Sequence, residues 1–200
     1  VTTLSIEASS IRILTLNGRR VERWGRMPLA AGLVKDGLIV QPKAVGQAVD
    51  ALFKSLGEPK SRVIVSLSSI RSAPRLLTLP KAKRALLEEA MRRQAKKEMP
   101  LPLEEIYLSW WPIGGKDDEL EFFVVGVPRP IVDAQVQTLV ESGVKPYMMD
   151  LKPIALARAV EYAEIRRKPQ GKIPKFRGIK RGKARQIIEK AMTKSAERPL

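Results

Sequence analysis

Asp117, Asp118 and Glu119 follow one another, and adjoining carboxylates are the residue type that holds a divalent cation or passes a proton in acid–base work. Their neighbours favour a plainer role. Gly114-Gly115 precede them and apolar runs flank the whole segment, which places the acids at a solvent-facing hairpin tip. Glu104 and Glu105 follow a Pro100/Pro102 segment and read as its terminator or cap, and Asp36-Gly37 is a turn signature. The chain has no histidine and no cysteine. This excludes a serine–histidine triad, histidine- or thiolate-ligated metals, a cysteine nucleophile and disulfides. Nor is there a glycine-rich loop of Walker or Rossmann spacing. Carboxylates, hydroxyls and amines remain, and their arrangement assigns no catalytic residue and no metal site.

The composition describes what these groups are mounted on. Of 200 residues, 44% are hydrophobic and 29% charged, a globular balance. Thirty-seven Lys/Arg against 21 Asp/Glu give +16, which points to an anionic partner. That charge is uneven: residues 166–200 hold 13 Lys/Arg against Glu189 and Glu197, so residues 1–165 carry only +5. The body is mildly basic and the segment after it strongly so. No run approaches the roughly 20 apolar residues of a membrane span, and the first residues lack the order of a signal peptide. The expectation is a soluble, intracellular chain.

Periodicity supplies the elements. Leu4, Ile6 and Ala8 alternate with polar residues, a second strand runs over 10–16, and Asn17-Gly18 predicts a tight turn into a third strand over 21–27. Residues 33–40 form another hairpin about Asp36-Gly37. A helix then starts at Gln41-Pro42, buries Val45, Val49, Leu52, Phe53 and Leu56, and stops at Gly57. The apolar run 62–67 reads as a buried strand. From Ser72 the order is strand (75–79), helix (81–97, with exposed Glu88–Arg92 and Glu89–Arg93 pairs), strands (105–113 and 120–127), helix (130–142) and strand (144–149). Trp110-Trp111 puts one ring on each face of its strand. This second stretch predicts a β-α-β-β-α-β unit at 72–148, inserted into an α/β half-domain formed by 1–71 and 149–165. Residues 150–163 are expected to be a helix that rejoins the first unit. Residues 166–200 are expected to be a basic tail, partly helical or disordered, in which Ala184, Ile187, Ile188, Ala191 and Met192 share one helical face.

The segments LSIEASSIR (4–12), GLVKDGLI (32–39), RVIVSL (62–67), RLLTLP (75–80), EMPLPLEE (98–105), FFVVGV (122–127) and ESGVKP (141–146) occur in that order. Met149-Asp150 and PIAL (153–156) follow. Together they resemble the N-terminal half of the PilM family, actin-like type IV pilus assembly proteins related to FtsA, over about residues 3–160. The resemblance implies an actin-like (ribonuclease H-like) half-domain of the 1A type with an inserted 1C-type subdomain. It also implies a cytoplasmic adaptor, peripheral to the inner membrane, that binds the cytoplasmic tail of a PilN-like membrane protein.

The same resemblance places a phosphate element in the first hairpin, with an acid at the position of Ser5 and a glycine at the position of Glu7. A carboxylate at Glu7 repels phosphate, so Ser9 and Ser10 are left as the hydroxyl donors of a degenerate phosphate loop. ATP with magnesium belongs to full-length family members. Here no cofactor and no small-molecule substrate is expected, and the chain reads as a truncated, non-catalytic relative. One lobe of a two-lobed fold leaves an apolar face uncovered, which predicts self-association or coverage by the tail. The alternative reading is a nucleic-acid-binding protein acting through residues 166–200, a segment that also suits anionic lipid.

Overall fold

The computed structural model describes residues 1–155 apart from 19, 68–70 and 117. The basic tail, its amphipathic helix and most of the helix expected over 150–163 lie outside the described residues; 152–155 are helical. Two compact units divide the chain, one holding residues 1–67 and 130–155, the other 71–129.

In unit 1, β1 (Thr2–Ile6), β2 (Ser10–Asn17) and β3 (Arg20–Pro28) form an antiparallel meander. β6 (Ser61–Leu67) pairs parallel to β1, and β10 (Lys145–Leu151) parallel to β6, giving the order β10-β6-β1-β2-β3. Alternation turns Leu4, Ile6, Ile11, Ile13, Val63 and Val65 to one face, where they are buried. α1 (Pro42–Leu56) covers that face with Val45, Val49, Leu52 and Phe53, spaced as a helical stripe. Its end is set by Gly57, whose left-handed φ of 62° lets its N–H and that of Glu58 return to the carbonyls of Lys54 and Phe53.

Between β3 and α1, β4 (Val34–Lys35) and β5 (Leu38–Ile39) form a two-stranded hairpin. Asp36 and Gly37 both take positive φ there, as a two-residue turn of primed type needs. The β2–β3 hairpin turns one residue later than expected. Asn17 pairs with Arg20 and closes the ladder instead of standing in the turn.

α3 (Arg129–Ser142) and β10 correct the predicted boundary at 148. Leu139 and Val144 sit in the core of unit 1, and β10 extends the five-stranded sheet instead of closing a split β-α-β-β-α-β unit. Element order is written in local periodicity, but the sheet a strand joins is a long-range choice. Helix packing reinforces that choice. Gly46 of α1 lies so close to α3 that a Cβ there would fall 2.6 Å from the Cβ of Glu141. Lys60 bonds to the Asp50 carboxylate on α1 and donates to the Ser142 carbonyl at 2.9 Å.

Unit 2 is an antiparallel sheet in the order β7-β9-β8, from β7 (Ala73–Pro80), β8 (Ile106–Gly114) and β9 (Glu119–Pro128). α2 (Arg84–Glu98) packs Met91 and Ala95 onto Leu77, Leu79, Phe122 and Val124. On its exposed side Arg93 reaches Glu89 at 2.7 Å, whereas Glu88 accepts from Arg84. A single 3-10 turn at Leu103–Glu105 leads into β8.

Candidate functional site

β1, β6 and β10 run parallel, so their carboxyl ends lie along one edge of the unit 1 sheet, the edge where open α/β sheets bind ligands. The register aligns Ser5, Ser66 and Asp150 across that edge. Beyond β1 the chain turns through Glu7, Ala8 and Ser9. The Glu7 N–H donates to the Ser10 carbonyl at 3.0 Å, and the Ser9 carbonyl accepts from the Leu29 N–H at 3.0 Å. The hairpin tip is therefore held on both sides.

Glu7 is the electrostatic centre of this edge. Its carboxylate accepts from the Lys152 ammonium at 2.7 Å and pairs with the Arg12 guanidinium at 3.4 Å. The Lys152 hydrogen bond, with the fields of Lys152, Arg12 and Arg26, holds the Glu7 carboxyl below the ordinary glutamate range against partial burial. A depressed folded-state value stabilises the protein above the ordinary glutamate pKa, and that stability is lost as pH falls through the folded value. Glu7→Gln is accordingly expected to cost about 0.5–1 kcal/mol near pH 7. The difference in Tm from the parent should begin to shrink as pH falls below the ordinary glutamate pKa of about 4.3 and continue to shrink until the depressed folded value is passed. Thermal melts from pH 3 to 7 check this; a constant difference would mean that the charge is not what Glu7 contributes.

The two predicted hydroxyl donors do not converge. Ser9 is exposed, while Ser10 is fully buried with an Oγ that has no hydrogen-bond partner; Ser5 Oγ is buried without a partner as well. The magnesium-bound nucleotide implied by the resemblance does not fit these residues. Glu7 presents a carboxylate, already committed to Lys152 and Arg12, where a phosphate would need bare backbone N–H groups. Chemically the edge can hold an ion pair.

The remaining sequence candidates lie elsewhere. Asp118 and Glu119 sit in the β8–β9 turn, where the Asp118 carbonyl accepts from Lys81 at 2.7 Å and the Glu119 N–H reaches Lys116 at 2.9 Å; Asp117 is outside the described residues. Gly115 permits this turn, since its φ of 144° and a carbonyl only 2.3 Å from any added Cβ exclude a side chain. Glu104 and Glu105 fall in the 3-10 turn. Among the described residues no three acidic side chains gather to hold a metal. Trp110 joins the core of unit 2, and Trp111 lies on the opposite face with its ring 4.7 Å from that of Phe123. Sequence reasoning missed Lys152, which stands 145 residues from its partner Glu7 and carries no local signal of the pairing.

A family model described as "Type IV pilus assembly protein PilM" matches residues 3–173. Among solved structures, a PilM-PilN type IV pilus biogenesis complex is similar with a TM-score of 0.74 and 24% identity, covering 81% of this chain and 50% of that one. The cytoplasmic domain of EpsL, an inner membrane component of the type II secretion system of Vibrio cholerae, is similar with a TM-score of 0.50 and 16% identity, over 74% of this chain and 56% of that one. The chain thus spans about half the length of these solved relatives. No curated protein sequence matches it.

Proposed function

Since the chain belongs to the PilM family of type IV pilus assembly proteins, we propose that it is an adaptor of pilus assembly, binding the cytoplasmic tail of a PilN-like membrane protein and hydrolysing no ATP. In this reading unit 1 is the 1A-type subdomain of the actin-like fold and unit 2 its 1C-type subdomain, and the chain works on the cytoplasmic side of the inner membrane. The observation that carries the reading is the likeness of four fifths of this chain to a protein solved in a PilM-PilN complex. Among the described residues no helix is long and apolar enough to cross a membrane.

The absence of ATPase activity is argued from Glu7. A carboxylate held by Lys152 and Arg12 repels a phosphate at the one hairpin that the resemblance assigns to phosphate. Ser5, standing where the resemblance puts an acid, has no charge with which to organise a metal.

Two measurements test the proposal. A synthetic peptide of the N-terminal tail of the cognate PilN-like protein, immobilised, should retain the full chain well above a scrambled control, and equal retention would sink the adaptor reading. Isothermal calorimetry with ATP and magnesium should give no binding heat, whereas micromolar binding would overturn the assignment of Glu7.

A further inference from the structure

The unit 1 sheet ends on β3, which has no neighbouring strand on its outer side among the described residues. None of its nine residues is buried. Trp24 is 72% exposed and Val21 52%, a cost that folding alone does not explain for a tryptophan. In register, Trp24 lies opposite Leu14, itself 36% exposed, and Arg26 lies opposite Arg12. The same face therefore carries an apolar step beside a step of two facing guanidiniums, of which Arg12 is paired with Glu7 at 3.4 Å.

This edge is firmly held. Arg23 donates to the carbonyls of Leu56 and Gly57 at 3.1 and 3.3 Å and pairs with the Glu58 carboxylate at 3.3 Å. Gly25 brings the strand so close to α1 that a Cβ would meet the Leu56 Cδ1 at 2.7 Å. Alternate residues along such an edge turn their backbone N–H and C=O groups outward, ready to pair.

We propose that the β3 edge accepts an extended acidic segment of a partner protein as a sixth strand, with acidic side chains beside Arg26 and Arg12 and an apolar one against Trp24 and Leu14. Charge decides the occupant. β3 carries Arg20, Arg23 and Arg26 against the single Glu22, whose carboxylate is engaged by Asn17 at 2.9 Å. Against a second copy, antiparallel pairing of two β3 strands centred on Arg23 sets Arg20 opposite Arg26, and centring on Trp24 offers Arg26 only a Glu22 that Asn17 already holds. An acidic strand gains backbone hydrogen bonds and brings Arg26 a carboxylate of its own. This inference does not depend on the PilN-like partner.

The test uses the full chain and a fluorescent twelve-residue peptide of repeating Thr-Val-Thr-Asp, which sets valine and aspartate in turn along one face of a strand, compared with the same peptide carrying lysine for aspartate. The acidic peptide should bind and the basic one should not. Amide hydrogen exchange should slow across residues 20–28 on binding. Arg26→Glu should weaken the affinity at least tenfold, Arg26→Gln less, and Trp24→Ala several-fold, with circular dichroism showing each variant folded.

Four outcomes would overturn the proposal. The first is affinity unchanged by Arg26→Glu and Trp24→Ala, the result expected if the peptide meets only the basic segment after residue 165. The second is binding without protection of β3. The third is Arg26-dependent flotation with phosphatidylglycerol vesicles that the acidic peptide does not displace, which would make this a lipid-facing surface. The fourth is a dimer, seen by sedimentation without peptide, that already protects residues 20–28.

Discussion

Phe53→Ala is expected to unfold unit 1 under conditions in which the parent is fully native. Phe53 is completely buried beneath the five-stranded sheet, alongside Val45, Val49 and Leu52 on the same helical stripe. Removing a buried phenyl ring loses its transfer free energy and leaves a cavity that rigid neighbours cannot close, together about 3–5 kcal/mol. Domains of this size hold about 5–15 kcal/mol in total, so the loss is a large part of what is available. Urea denaturation followed by circular dichroism should show the midpoint falling with little change in slope. A shift smaller than about 1 kcal/mol would mean that the α1 stripe is not the centre of this core.

Gly46→Ala tests a sign as well as a size. In an isolated helix the change is favourable by about 1 kcal/mol, because alanine is the better helix former. At position 46 that gain meets the backbone of α3. The new methyl would lie 2.6 Å from the Glu141 Cβ, 3.0 Å from the Thr138 carbonyl oxygen and 3.3 Å from the Ser142 N. Two of these atoms belong to the main chain and cannot swing aside, so α1 and α3 must separate. Overpacking of this kind costs typically 1–3 kcal/mol, enough to outweigh propensity. The expected result is a net loss of about 1–2 kcal/mol in denaturant, growing with side-chain size in Gly46→Val. A stabilised Gly46→Ala would show the helices to be less closely apposed than the geometry requires.

Elements were legible in the sequence wherever the signal is local. Alternation over residues 2–16 declares β1 and β2, the spacing Val45–Val49–Leu52–Phe53 declares α1, and Gly57 declares its end. The faces of Trp110 and Trp111 follow from the period of a strand alone. What was not legible depends on partners far along the chain. The helical pattern over 129–142 is plain, yet nothing in it says that Leu139 belongs beneath β1 and β6, so the boundary predicted at 148 falls near 129. Asn17-Gly18 marks a turn correctly but not which two residues occupy its corners, because cross-strand pairing decides that.

The candidate site divides in the same way. Glu7, Ser9 and Ser10 could be picked out from their place in the hairpin, but neighbouring positions in a sequence are not neighbouring directions in space, and the fold buries one hydroxyl while exposing the other. Lys152 and the Arg12–Arg26 step arise from register and crossover, which no window of residues contains.

The pairing of β6 with β10 sets a schedule for synthesis. β6 is complete once Leu67 has emerged, but its parallel neighbour does not begin until Lys145, after all of unit 2 has been made. At about 5–20 residues per second the ribosome takes on the order of ten seconds to cover that distance. Throughout the interval the nascent half-sheet presents the row Val63, Val65 and Leu67 with one side unpaired, a surface that other growing chains could join. Production of this protein is therefore bound to be more sensitive to translation speed and chaperone supply than its modest length suggests.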